Sequence, residues 1–510
     1  MTKRDFFLSK SKYLAGLQCP KLLWTFYNAK ETVPPTDTAT QAIFDQGHKV
    51  TKLAHELFPG GVEPKGEPND YDGLIRETHS LLALKKPLYE AAFKSNRTFA
   101  RPDILKPNKD GSWDLYEVKS STSVKESYYA DCAFQKYCYE GAGLKIRKVY
   151  LVYINNEYTK DGPIDPKELF MIEDITETVE PLVGNVEGQV EQMIDIINQK
   201  ECPDIKIGTH CDDPNPCPLK VVCWNFLPAE SVFILNRIHK KKAFELIDSG
   251  VHHIKDIPGD FKLSESQMVQ CDCHASGETK IDPAAIKGFL DEIEFPIYFL
   301  DFETVGPAVP VYDQSRPYQQ VPFQFSLHIL PAWGKEASHH AYLAQNQDDP
   351  RPELLSKLES LIKGKGTILS YNMSFEKARL EESVAVYPKH EPWLRGIEKR
   401  FMDLIVPFRK FDYYDPKQMG RTSIKNVFPA LTGGTYEGLE IGDGGTASLE
   451  YGRVMFSDGI SSQDKERVLR GLEEYCKLDT QAMIDVLGVL NKVANVSLKD
   501  DVRHTRRNII

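Results

Sequence analysis

The sequence predicts an α/β architecture, and three stretches carry that prediction. Residues Ile297 to Thr304, IYFLDFET, form an apolar run suited to a buried strand that ends in acids on alternate residues. RTFARPDILKPNKDGSWDLYEVKSS reads as a hairpin, with strands Phe99 to Leu105 and Trp113 to Lys119 about a turn at Pro107 to Gly111, and a helical pattern follows from Glu126 to Gly143. GTILSYNMSFEKARLEE repeats the alternation, with a strand ending at Tyr371 and a helix from about Ser374.

At 510 residues the chain has room for roughly three domains, each with its own core. Hydrophobic content of 41%, charged content of 27% and aromatic content of 10% are ordinary for a globular protein, and no repeat or low-complexity tract interrupts them. No apolar run reaches the length of a membrane span, and the opening MTKRDFFLSKSKYLAGL lacks the apolar core and small-residue cleavage site of a leader, so the expected location is the cytoplasm. A net charge of -11 argues against a nucleic-acid binder drawn by its overall field. Any such binding needs local patches, for which Lys10, Lys12 and Lys21, the run Arg237, His239, Lys240, Lys241 and Lys242, and the tail Arg503 to Arg507 are candidates beside the commoner role of a solvated face.

Cys132, Cys138 and Cys476 sit in amphipathic helical patterns, where a thiol is usually a small buried hydrophobe. THCDDPNPCPLKVVCW differs, since it places Cys211, Cys217 and Cys223 with five residues between each and the next in a segment rich in Pro and Asp. A reducing compartment disfavours disulfides, so clustered thiols there more often hold metal. Three thiolates leave a tetrahedral site one short, and Cys19 in LQCPKLLW, with a similar Cys-Pro context, is the candidate fourth ligand.

The hairpin carries Asp103 on its first strand and Glu117 and Lys119, two residues apart and on one face, on its second. An acid on each strand can share a divalent metal, and a lysine beside them can hold the attacking water and steady charge on a phosphate. The bland alternative is a surface hairpin with an ordinary Glu-Lys pair. Gln135 and Tyr139 then lie one turn apart on the following helix. Acid, Glu-x-Lys and Gln-x-x-x-Tyr in this order resemble the PD-(D/E)XK nuclease superfamily in its RecB-like branch, and the literal Pro102-Asp103 is present. The resemblance implies an auxiliary histidine upstream and a glutamate before the hairpin, for which QGHKVTKLAHELF offers His48 and LYEAAF offers Glu90. It also implies that Cys19, Cys211, Cys217 and Cys223 hold a [4Fe-4S] cluster, as in iron-sulfur RecB-like nucleases with one cysteine before the core and three after. Those relatives space the last three by two and then five residues, whereas both gaps here are five, which leaves zinc as the alternative.

Asp301 and Glu303 project from one face of their strand, where two like charges repel unless a cation sits between them. Downstream, Glu376 falls in the first turn of a helix behind Asn372, and GLEEYCKLDTQAMIDVL places Tyr475 and Asp479 on one helical face. These three motifs resemble the DnaQ-like DEDD exonucleases in their tyrosine subtype, with Glu376 where the family normally has Asp. The resemblance implies that Asp301, Glu303 and Asp479 bind metal and that Tyr475 positions water. Asp403 in RFMDLIVPF reads as a strand-end acid capping a turn, with an accessory catalytic role as the alternative.

The chain as a whole looks like a bacterial family joining the two modules. The resemblance places a RecB-like domain with a PD-(D/E)XK core at 8–226, a helical connector with helix-hairpin-helix spacing at 227–293, a DEDD domain of ribonuclease-H-like fold at 294–495 and a basic tail at 496–510. It implies a nuclease acting on DNA through two sites with Mg2+ or Mn2+. RNA processing, or a nucleic-acid-binding scaffold with one or both sites inactive, are the alternatives.

Overall fold

The computed structural model describes residues 6–507 apart from Pro68; the side chains of residues 496–507 lie outside the described residues, the basic run Arg503 to Arg507 among them. The chain divides into two compact units, Met1–Phe226 with Pro307–Tyr318, and Leu227–Gly306 with Gln319–Ile510. The division therefore departs from the expected 294–495 domain at Pro307–Tyr318, a segment that packs with the first unit. Ala308 is buried with Val50, Phe58, Val118 and Tyr158. Its N–H donates to Gln46 Oε1 at 3.0 Å, the Gln314 N–H donates to the Lys160 carbonyl at 2.7 Å, and the Tyr318 hydroxyl donates to the Ser120 carbonyl.

The first unit opens with helices α1 (Lys10–Gln18), α2 (Pro20–Asn28) and α3 (Thr38–Ala54). Its five-stranded sheet runs in sequence order: β1 (Leu88–Tyr89), β2 (Ile104–Pro107), β3 (Trp113–Lys119), β4 (Ile146–Ile154) and β5 (Phe170–Asp174). Helix α4 (Glu126–Gly141) crosses between β3 and β4, which are the parallel pair. The expected strand from Phe99 to Leu105 is broken. Pro102 has no amide to give a ladder, so Thr98–Ala100 pairs with Phe93–Ser95 and Leu8–Ser9, and β2 starts only after Asp103. Leu105, Leu115 and Leu151 pack on Phe134 of α4 and Val190 of α5 (Thr176–Ile197) to make the core.

In the second unit, α6 (Lys240–Asp248) is followed by a single 3-10 turn, Ile254–Asp256, so the expected helix-hairpin-helix lacks a second helix. Ile257 precedes Pro258 and is biased away from helical geometry, which ends the turn. Helix α7 (Glu265–Ser276) begins with a Ser264–Gln267 capping box. The five-stranded sheet comprises β6 (Ile297–Val305), β7 (Val321–Leu330), β8 (Ser338–Leu343), β9 (Ile368–Ser370) and β10 (Phe401–Asp403), in the spatial order β8-β7-β6-β9-β10. The first three strands in sequence are antiparallel, and β9 and β10 continue from β6 in parallel. Helix α8 (Ser374–Val386) follows β9, and α9 (Ile424–Thr432), α10 (Gly444–Phe456) and α11 (Ser462–Arg507) follow β10. Met483, Val486, Leu487 and Leu490 recur at helical spacing on α11 and pack with Ile297 and Phe299 of β6. No helix among the described residues is long and apolar enough to cross a membrane.

Candidate active sites

In the first unit Glu117 stands on β3, between β2 and β4, and is 1% exposed. Asp103 occupies the break before β2, and its Oδ2 accepts the Val118 N–H at 2.6 Å, which brings it beside Glu117 without being on the expected strand. Lys119 Nζ donates to Glu117 Oε1 at 2.7 Å and to Asp131 Oδ2 at 2.6 Å. Gln135 Nε2 donates to Glu117 Oε2 at 2.8 Å and to Asp131 Oδ1 at 2.9 Å, and the Tyr139 hydroxyl donates to Gln135 Oε1 at 2.7 Å. The five expected residues thus converge, and two unexpected ones join them. Asp131 lies one turn before Gln135, so the spacing that picked out Gln135 and Tyr139 would also have found it. Lys10 of α1 reaches Glu117 Oε1 at 2.8 Å from 107 residues away, a partnership without local signal.

Charge in this site is largely balanced by the chain itself. Burial pushes the Glu117 pKa up, but Lys10 and Lys119 more than reverse that and hold it well below the usual carboxylate range. Burial, with Glu117 beside it, raises that of Asp103. Glu90 borders the site, paired with Arg101 at 3.1 Å, and burial raises its pKa against the pull of Arg101 and Lys10. His48 is exposed on α3. The imidazole that meets the Asp103 backbone is His55, stacked on Tyr89 with ring centres 3.9 Å apart.

Cys19, Cys211, Cys217 and Cys223 line one small cavity, with Lys21, Lys206 and Lys220 also on its walls. Gln18 ties α1 to the cysteine loop through the carbonyls of His210 at 2.9 Å and Asn215 at 2.7 Å. Burial pushes the Cys217 thiol up to about 11 with the other three sulfurs adding repulsion, so thiolates there need a compensating cation. Four convergent thiols fit a metal centre by their donor chemistry.

In the second unit Asp301 and Glu303 project from β6, Glu376 from the first turn of α8, and Tyr475 and Asp479 from α11. Glu376 is 2% exposed, and its Oε2 has no hydrogen-bond partner. Asp479 Oδ1 accepts from the Tyr436 hydroxyl at 2.7 Å, and Asp479 contributes to the raised pKa of the Tyr475 hydroxyl one turn before it. Cys476, expected to be only a buried hydrophobe, donates to Asp301 Oδ2 at 3.7 Å, and its sulfur lies with Asp301 and Glu303 oxygens in a group spanning at most 4.8 Å. Asp403 Oδ1 accepts from the Asn372 N–H at 2.8 Å and the Ile405 N–H at 3.1 Å, which makes it a cap for the turn.

Here the charge is left unbalanced. Among the described residues no lysine or arginine forms an ion pair with Asp301, Glu303, Glu376 or Asp479. Burial raises the pKa of all four, and mutual repulsion adds to it: Asp479 acts on Asp301, and Asp301 acts on Glu303 and Glu376. Lys425 only moderates this for Asp301, Glu303 and Asp479 while bonding the Gly442 carbonyl at 2.7 Å. Buried hard oxygen donors, one of them orphaned, fit Mg2+ or Mn2+. Neither Tyr436 nor Lys425 carries a sequence signal that singles it out.

Comparison with known proteins bears on the middle of the chain. A family model described as a domain of unknown function (DUF2779) matches residues 298–423, which include Asp301, Glu303, Glu376 and Asp403 but stop short of Tyr475 and Asp479. An uncharacterized protein of Mycoplasma pneumoniae (MG366 homolog) is 28% identical over 214 residues, covering 38% of this chain and 32% of its own length. An uncharacterized protein of Ureaplasma parvum serovar 3 (UU173) is 25% identical over 264 residues, covering 47% of this chain and 37% of its own. The chain spans about a third of the length of these curated relatives, and over that share it is similar to them and, in its middle, to a domain of unknown function.

Proposed function

We propose that the chain is a metal-dependent nuclease that hydrolyses phosphodiester bonds of DNA at two separate sites. The observation that carries the reading is the second cluster: buried Glu303, Glu376 and Asp479 with half-buried Asp301, from a strand and two helices, with no lysine or arginine among the described residues ion-paired to them, and the Tyr436 hydroxyl bonded to Asp479. Such an arrangement is unfavourable on its own and is offset by divalent cations, which would activate water and neutralise charge developing on the phosphate. The Tyr475 hydroxyl, raised in pKa by burial and by Asp479, stays protonated and orients a water molecule through its remaining lone pair. The strand order β8-β7-β6-β9-β10 supports a ribonuclease-H-like fold for this unit.

In the first unit Asp103 and Glu117 would hold one ion, and Lys119, already oriented by two carboxylates, would meet the phosphate. The four cysteines would carry a [4Fe-4S] cluster. Protein purified without oxygen is then brown, and colourless protein containing zinc and no iron overturns that assignment.

The test of the main reading is release of nucleotides from end-labelled DNA and RNA with Mg2+ or Mn2+, against chelator. Metal-dependent release of terminal nucleotides, lost when Asp301 and Glu303 become Ala, supports it. Release that survives this change overturns it, and binding without cleavage of either polymer would make the protein a scaffold.

A further inference from the structure

We infer that the second unit holds the backbone of a nucleic-acid strand in a second, purpose-built anion pocket beside the exonuclease motif, an inference that rests on the exonuclease reading of that unit. A cavity of about 380 Å³ lies among Asn236, Arg237, Ser264, Ser266 and Gln267 on one side and Arg409 and Thr422 on the other. In a chain of net charge -11, its lining has two arginines, hydroxyls and amides, and the carboxylate paired with Arg409, Asp403 Oδ2, stands 3.9 Å from it outside the lining.

The cavity is held in shape. Gln270, fully buried on α7, accepts from the Asn236 N–H at 2.7 Å and donates to the Ile234 carbonyl at 2.8 Å. Gln267 donates to the Asn236 carbonyl at 2.9 Å. Clamped in this way, the next residue, Arg237, adopts a left-handed backbone with φ 50, a conformation that costs a non-glycine residue about 1 kcal/mol or more and is kept where surroundings impose it. Gly420, φ +71, packs directly on this same segment, because a Cβ there would come within 1.9 Å of the Ile234 carbonyl.

The far wall joins the exonuclease motif. Arg409 donates to Asn372 Oδ1 at 3.1 Å, and the Thr422 carbonyl accepts from the Tyr371 hydroxyl at 2.6 Å; these two partners lead directly into α8 and Glu376. Two arginines and hydroxyls bordering one cavity suit a phosphodiester, to which arginine can donate in a bidentate fork. The ligand is therefore a phosphate of the strand away from the scissile one, on DNA or RNA alike, and its contact positions the chain without reading its sequence.

The experiment uses the full chain, Arg237→Gln, Arg237→Lys, and Ser266→Asp, which puts a negative charge into the pocket while favouring the helix start. Affinity for a single-stranded oligonucleotide is measured across salt concentrations in chelator, with inorganic phosphate as competitor, and hydrolysis of the p-nitrophenyl ester of thymidine 5′-phosphate is measured with Mn2+. Arg237→Gln is expected to weaken oligonucleotide binding about tenfold and lower the salt slope by about one, with Arg237→Lys recovering part and Ser266→Asp weakening binding further. Ester hydrolysis, which engages only the acid cluster, stays at the wild-type rate. Inorganic phosphate that displaces the oligonucleotide fully at millimolar concentration would mark a free-anion site and overturn the strand assignment. Unchanged affinity and slope in both Arg237→Gln and Ser266→Asp overturn the pocket whether or not the ester is cleaved. Absence of ester hydrolysis in the wild type, with binding still dependent on Arg237, leaves the pocket standing and removes the exonuclease.

Discussion

The two acid clusters solve the same electrostatic problem in opposite ways. Around Glu117 the chain supplies its own cations, Lys10 and Lys119, at 2.8 and 2.7 Å. Around Asp301 no lysine or arginine among the described residues forms an ion pair, Lys425 only moderates the repulsion from a distance, and the carboxylates are driven toward neutrality by burial and by each other. The first cluster can stay folded as built. In the proposed reading the second would be completed by an ion from outside, and metal would then act on its stability as well as on its chemistry.

The sharpest test of that contrast replaces Asp301 by Asn and Glu303 by Gln together. Nucleotide release should fall on the order of 10³-fold, while the metal-free protein should melt higher than wild type because the repulsion is gone. Thermal melts with chelator, Mg2+ and Mn2+ read both effects, and a wild type that melts identically with and without ion would abolish the contrast.

Lys119→Ala probes the self-balanced cluster. It leaves Glu117 and Asp131 with Lys10 alone, and breaking a buried pair of this kind costs about 3 kcal/mol. Urea unfolding in chelator should show that loss, and added Mg2+ should restore part of it. A loss under about 1 kcal/mol would mean that solvent screens the pair.

Acidity should separate Glu117 from the second cluster by sign, while Asp103, raised by burial and by Glu117, follows the second cluster. The raised carboxyls of Asp301, Glu303 and Glu376 contribute most where they are protonated, and that contribution is lost as pH rises through their elevated values. Glu117, held low, contributes above the ordinary carboxylate range and loses it only as pH falls through its depressed value. In chelator, amide exchange corrected for intrinsic rates should therefore show β6 better protected at about pH 5 than at about pH 8. Protection of β6 that stayed level or rose between about pH 5 and about pH 8 would contradict the unbalanced charge of the second cluster.

The smallest effect concerns two histidines. His48→Ala, on an exposed helical face, should change stability by under about 0.5 kcal/mol, whereas His55→Ala should cost about 1 to 2 kcal/mol by removing the stacked ring behind Asp103. Equal losses would place His48 at the site after all.

What the sequence revealed follows the reach of its rules. Glu117 and Lys119, or Asp301 and Glu303, share one strand, and Gln135 with Tyr139, or Tyr475 with Asp479, share one helix, so alternation and helical spacing found them. Asp131 lies within the same reach, one helical turn before Gln135, but outside the motif that the resemblance defines. Lys10, Tyr436 and Lys425 come from other elements, and nothing local marks a residue whose partner lies far along the chain, 107 positions away for Lys10 and 43 for Tyr436. Asp103 was placed on a strand because its neighbours are apolar, but the missing amide of Pro102 outweighs them. Cys476 looked like packing because a buried thiol and a thiol touching a carboxylate have the same helical pattern.

The segment Pro307–Tyr318 determines how the protein can be dissected. The polypeptide passes from one unit to the other after Phe226, after Gly306 and again after Tyr318. A fragment ending at residue 226 would thus be born with a hole, since Ala308 and its neighbours Val309 and Tyr318 would be absent from the packing around Phe58 and Tyr158. The complementary fragment would carry those same apolar residues as an unsupported loop. Severing one peptide bond does not yield two intact halves, and fragments sized to independent modules would misrepresent both. A faithful N-terminal fragment has to graft Pro307–Tyr318 back through a linker, so inheritance of this chain by shuffling whole domains is constrained to move three junctions at once.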